Sequence, residues 1–285
     1  MKLKFPPAFL LISVALLFSC KEKEKTSDMN IIYIHHSTGG VIWQGKKASL
    51  FTRAVRKVST RLADNLGGQA MLPALFRKYN KENNRNYHIT ETAFPKAAPY
   101  GWENYPYDYY NIWVKNAGNE PYLEEPTLEL LTKQYQVVVF KHCYPVSNIQ
   151  PDKDSADINS DYKSLGNYKL QYNALRDKLH EFPDTRFILW TGAALAKDAV
   201  GKDEAGRARE FFTWVKEEWD EPGDNIFLFD FFELETEGGN FLPAAYSAGD
   251  SHPNSDFAAS VAPLFAKRVL DVIEGRGDMG SLTGQ

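Results

Sequence analysis

Three short stretches of the 285-residue chain carry side chains suited to covalent chemistry: "IHHSTGG" at 34–40, "KHCYPVSN" at 141–148 and "GDSHPN" at 249–254. A serine becomes a nucleophile when an imidazole is near enough to take its proton. A third group must orient that imidazole, and hydrogen-bond donors must face the oxyanion that forms. Ser37 is the candidate nucleophile and His252 the candidate base. Asp250, two residues before His252, is the favoured acid, and Asp230 at the end of "NIFLFD" is the alternative. The backbone N–H groups of Ser37, Thr38, Gly39 and Gly40 are available as oxyanion donors, because glycine lets the backbone approach a ligand closely. Cys143 reads as a small buried residue rather than a second nucleophile.

A metal is not expected. His35 and His36 are adjacent on a strand and therefore point to opposite faces. Neither CxxC nor HExxH occurs, and nothing in the sequence calls for a cofactor. Between the first and second stretches lies "YGWENYPYDYYNIW", residues 100–113. Its aromatic rings with polar tips suit sugar surfaces, so Tyr100, Trp102, Tyr105 and Tyr107 are candidate substrate contacts. The same segment would also serve as a loop packed on its own side chains.

The elements that must position these residues alternate. "NIIYIH", "YHITETAF", "QVVVFKH", "RFILWTG" and "NIFLFDFF" read as strands. Helical spacing appears over 47–66, 71–80, 126–135, 162–182, 204–219 and 254–275, with Pro263 expected to bend the last helix or mark its start. Alternation of this kind predicts a three-layer α/β/α sandwich around a mostly parallel five-stranded sheet, flavodoxin-like in plan. Continuous apolar runs such as "VVVF" predict strands buried on both faces. Ligand sites in such sheets lie beyond the carboxyl ends of the strands, which is where the three stretches fall.

With "IHHSTGG" near one end and "GDSHPN" near the other, the chain resembles the SGNH/GDSL hydrolase superfamily. The resemblance spans about residues 30–275. It implies a serine esterase working through an acyl-serine, with Ser37 and His252 as nucleophile and base, and Asp250 is taken as the acid beside them. It also implies a glycine and an asparagine from two middle loops as oxyanion donors, here matched to Gly101 and Asn148. His36 precedes the serine where the family has Gly-Asp, and Gly249 stands at the family's acid position. "FKHCYPVSN" replaces the family's Gly-x-Asn-Asp.

Residues 1–20 combine a basic start, a short apolar run and "LFSC", which resembles a lipoprotein signal with Cys20 lipidated. The expected organisation is this signal, a tether over 21–29, a hydrolase domain over 30–275 and a loose tail over 276–285. Only Cys143 would then remain as a thiol. With a net charge of −4 and scattered basic residues, a nucleic-acid surface is not expected. A lipid-anchored envelope location and the aromatic segment make an acylated carbohydrate the expected substrate. A non-catalytic glycan-binding lipoprotein and an O-acyltransferase using the same serine are the alternatives.

Overall fold

The computed structural model describes residues 28–46 and 69–285, apart from 97, 102 and 154. The expected signal with Cys20, the helix over 47–66 and Trp102 lie outside the described residues.

Five strands form one sheet: β1 (Asp28–His35), β2 (Asn86–Ala93), β3 (Val137–Lys141), β4 (Arg186–Trp190) and β5 (Ile226–Phe229). Their order is β2-β1-β3-β4-β5 and every pairing is parallel. Asp28 and Met29, expected in the tether, pair with Asn86 and Tyr87 and belong to β1.

Among the described residues the α-helices are α1 (Ser37–Gln44), α2 (Met71–Asn83), α3 (Pro106–Tyr109), α4 (Leu128–Leu131), α5 (Leu165–His180), α6 (Lys202–Trp214), α7 (Phe231–Thr236) and α8 (Ser255–Ile273). Alternate residues of β1, β3, β4 and β5 enter different cores, as a period of two requires, whereas the edge strand β2 contributes only Tyr87 and Ile89, both to one core. Ile32, Ile34, Val138, Phe140 and Leu189 pack with α5 and α6, whereas Tyr33, Val137, Val139 and Trp190 pack with α1, α2 and α8. All five residues of β3 are buried, so this strand is the hub of both cores.

Three expectations are corrected. "NIFLFDFF" is a strand only to Phe229. Asp230 then accepts the Glu233 N–H and caps α7, a competing preference of aspartate before a helix. α8 already begins at Ser255, so Pro263 lies inside it and does not mark its start. Asn254 caps its start by accepting from the N–H groups of Asp256 and Phe257, and Phe257, Val261, Phe265 and Val269 are buried along one face. Burial of each such side chain is worth about 1.5–3 kcal/mol, enough together to outweigh the roughly 3 kcal/mol cost of an internal proline. The tail is docked rather than loose. The Leu282 carbonyl accepts the Asp230 N–H at 2.8 Å, and Gly284 lies so close to the Leu264 backbone that a Cβ would meet its oxygen at 2.1 Å.

Candidate active site

In this strand order the chain runs outward in opposite directions from β1 and β3, which opens a crevice between their carboxyl ends. β1 ends at His35, extended His36 follows, and α1 begins at Ser37. β3 ends at Lys141, and Cys143 leads into a 3₁₀ turn over Tyr144–Ser147. The crevice is where the two exits meet: Ser37 Oγ lies 4.0 Å from Cys143 Sγ.

Ser37 is exposed and is the first helical residue, not the cap. His36 holds the cap position without a side-chain cap bond, because its Nε2–H donates to the Pro95 carbonyl. Burial holds the His36 imidazole below its ordinary pKa. The N–H groups of Ser37 and Thr38 therefore have no acceptor within the helix. Gly39 and Gly40 differ, since both N–H groups point to the His36 carbonyl, Gly39 at 2.8 Å. The Gly39 donor assigned to the oxyanion is thus used inside the turn. What Gly39 supplies is space: a Cβ there would lie 2.5 Å from His35 Cβ and 2.6 Å from the Tyr33 hydroxyl. The His35 ring is held at both nitrogens, with Nδ1 3.1 Å from the His36 carbonyl and Nε2 2.9 Å from Glu91.

The third stretch forms a loop just before α8. His252 Nδ1 lies 3.0 Å from one oxygen of Asp250, and the His252 N–H donates to the other at 2.8 Å. These two bonds hold the Asp250 carboxyl below its ordinary pKa, the backbone donor foremost. A carboxylate only accepts, so Nδ1 carries the hydrogen of that bond, which leaves Nε2 as the ring nitrogen not bonded to Asp250. Asp230, the alternative acid, is engaged elsewhere by Thr191 at 2.6 Å and Lys216 at 2.7 Å. The His252 ring packs edge-on against Tyr144, with centroids 5.5 Å apart. Ser37 thus touches Cys143 and His252 touches the next residue in the chain.

Polar stitches hold the loops together. Ser251 Oγ accepts the Ala196 N–H at 3.1 Å, and Ser147 Oγ donates to the Ala193 carbonyl at 2.6 Å. Asn104, at φ +47°, donates to the Phe94 carbonyl and accepts the Cys143 N–H at 3.1 Å. A cleft of about 550 Å³ opens between Tyr144, Asn148, Lys163, Asp198 and Asp250. A larger one of about 660 Å³, lined by Tyr246, Asn254 and Thr283, contains none of the candidate triad.

No protein-family model matches the sequence, and no curated protein matches it. Among solved structures the chain is similar to a gut microbial diltiazem-metabolizing enzyme, at 13% identity and a TM-score of 0.44 over 89% of this chain and 48% of that one. It is also similar to a carbohydrate esterase whose active site is described as having divergent catalytic and non-catalytic binding functions, at 12% identity and a TM-score of 0.40. That match covers 85% of this chain and 65% of the other. A family two carbohydrate esterase from Cellvibrio japonicus is similar at 10% identity and a TM-score of 0.41, over 88% of this chain and 63% of that one. The chain therefore spans between about half and two thirds of the length of these proteins.

Other candidates are placed less centrally. Asn148 is exposed on the cleft, with its side-chain oxygen taken by Gln150 at 2.8 Å, so its amide nitrogen is the donating end. Gly101 has φ +71° and open space around it, and nothing ties it to Ser37. The aromatic segment is a packed wall rather than an open platform. Tyr105 is buried, with its ring 6.3 Å from Tyr168, while Tyr100 and Tyr107 are half-buried against the same core. Asn111 donates to the Tyr100 hydroxyl at 2.8 Å. The sequence reasoning missed Tyr144, Asn104 and Lys141. A lysine closing the run "VVVFK" was the one signal available in advance.

Proposed function

We propose that the chain is a serine esterase that removes acyl groups from a hydroxyl-rich substrate through an acyl-serine intermediate. One observation carries this reading: a carboxylate-held imidazole and an exposed serine flank the same two residues, Cys143 and Tyr144, at the β1–β3 crevice. Ser37 Oγ attacks the ester carbonyl and His252 Nε2 takes its proton. Asp250 fixes the tautomer and steadies the imidazolium. The N–H groups of Ser37 and Thr38, at the positive end of α1, receive the oxyanion. His252 then protonates the departing alcohol, and water attacks the acyl-serine by the reverse sequence.

The exposure of Ser37 leaves an acyl-serine open to attack by water, as hydrolysis requires. The open cleft beside Asp250, polar on Asn148, Lys163 and Asp198, suits a carbohydrate. Lipidation at Cys20 and a place in the cell envelope belong to the same proposal and rest on the sequence of residues 1–20. The test is hydrolysis of 4-nitrophenyl acetate together with labelling by a fluorophosphonate. Turnover and a phosphonyl adduct on Ser37 support the reading. An adduct on another residue, or an inert protein, overturns it.

A further inference from the structure

Directly behind Ser37 lies a side chain that folding alone does not explain. Lys141 ends β3 and is wholly buried. Among the described residues its side-chain nitrogen has one hydrogen-bond partner, Cys143 Sγ at 3.7 Å. A lysine offers three donors and prefers water or a carboxylate, so a single thiol is poor compensation for desolvation. The same sulfur is the group that Ser37 Oγ touches at 4.0 Å. The hydroxyls of Tyr33 and Thr38, also at the first turn of α1, are buried without partners. A costly cation and two unspent hydroxyls are therefore gathered under the candidate nucleophile.

We propose that Lys141 is a positioning residue for acyl transfer: acting through the Cys143 thiol, its charge steadies the negative charge that develops as Ser37 attacks. This inference rests on the esterase reading above. In the step concerned, the Ser37 O–H bond breaks and its proton goes to His252 Nε2. An Oγ–C bond forms, and the carbonyl π pair moves onto the carbonyl oxygen. Lys141 exchanges neither proton nor electron. It supplies a fixed field in a water-poor interior, where such a charge acts more strongly than in solution. Burial is the main reason that His36 and His142 are held below their ordinary pKa and Glu235 above its own, and the charge of Lys141 adds to the first two shifts and opposes the third.

The folding argument separates this role from a structural one. Replacing a buried charge with an apolar side chain of similar volume is often neutral or stabilising. Lys141→Met should therefore keep or raise the urea midpoint while lowering kcat about ten- to a hundredfold, with KM within about twofold. Lys141→Arg, which keeps the charge, should retain more of kcat than Met does. Both variants are assayed with 4-nitrophenyl acetate, and active sites are counted by fluorophosphonate labelling so that kcat is expressed per competent serine. A wild-type enzyme that turns over while Lys141→Met matches it per site overturns the inference and leaves the esterase reading standing. A change confined to KM also overturns it. An inert wild-type protein overturns both. If the Arg variant does not fold, the Met variant alone decides.

Discussion

His252 Nδ1 sits 3.0 Å from Asp250 Oδ2, and the backbone N–H of the same histidine donates 2.8 Å to Asp250 Oδ1. A two-residue turn thus brings one carboxylate oxygen to the imidazole and the other to the backbone of the same histidine. The Asp250 side chain is 63% exposed, so water competes for its charge. Asp250→Asn should lower kcat by about 10²-fold, less than the roughly 10⁴ seen where a buried triad acid is lost. Asp230→Asn should instead lower the urea midpoint, because Thr191 and Lys216 lose their partner, with kcat per folded molecule preserved. Asp250→Asn with full activity and an inactive but folded Asp230→Asn would reverse these assignments.

Ser37→Ala removes an exposed hydroxyl whose one hydrogen-bonding neighbour among the described residues is Cys143. Stability should change by no more than about 0.5 kcal/mol, the usual range for surface positions. Ester hydrolysis should fall at least about 10³-fold. Denaturant unfolding and initial-rate assays on the same preparation check both halves.

The strands were legible because each is an apolar run bounded by polar residues, and the sheet order places the sequence-picked Ser37 at the one crevice that order creates. Asp250 was legible as a candidate because a short Asp turn folds its carboxylate back on itself. Other features were not, since they depend on which neighbour wins. Asp230 has the same chemistry as Asp250, but Thr191 and Lys216 reach it first. Tyr105 looks like a sugar platform in sequence and is a core residue in space, because Tyr168 and the 4.6 Å approach of Lys163 cover its ring. Leu282 and Gly284 sit in a stretch whose glycines and polar residues read as a free end, yet both dock on the domain.

Gly39→Ala tests the close approach of α1 to β1. The new Cβ would meet His35 Cβ at 2.5 Å and the Tyr33 hydroxyl at 2.6 Å, both attached to a strand that cannot easily yield. Overpacking of this kind costs about 1–3 kcal/mol. It should also shift Ser37, two residues earlier, so that activity per folded molecule falls as well. Unfolding midpoints and active-site titration would report the two effects separately. An unchanged midpoint would mean that α1 is free to move outward.

The last prediction concerns Glu235, which is wholly buried and whose carboxyl is pushed up to about 8. Burial is the main cause, opposed by the Ala194 N–H at 2.6 Å and by the charge of Lys141. In the unfolded chain a glutamate titrates near about 4.3. Between that value and about 8 the native state holds a proton that the unfolded state has released. The slope of unfolding free energy with pH is then negative, about 1.4 kcal/mol lost per unit from this group alone. Stability from this source is greatest below the unfolded value and declines until the pH passes the folded one. Glu235→Gln keeps the shape and an acceptor for Ala194 but cannot ionise. Urea unfolding at pH 5, 7 and 9 should show wild-type stability falling more steeply than that of the variant, with the difference largest at pH 9. Parallel pH dependences for the two proteins would mean that Glu235 is already ionised in the folded state, paired with the charge of Lys141.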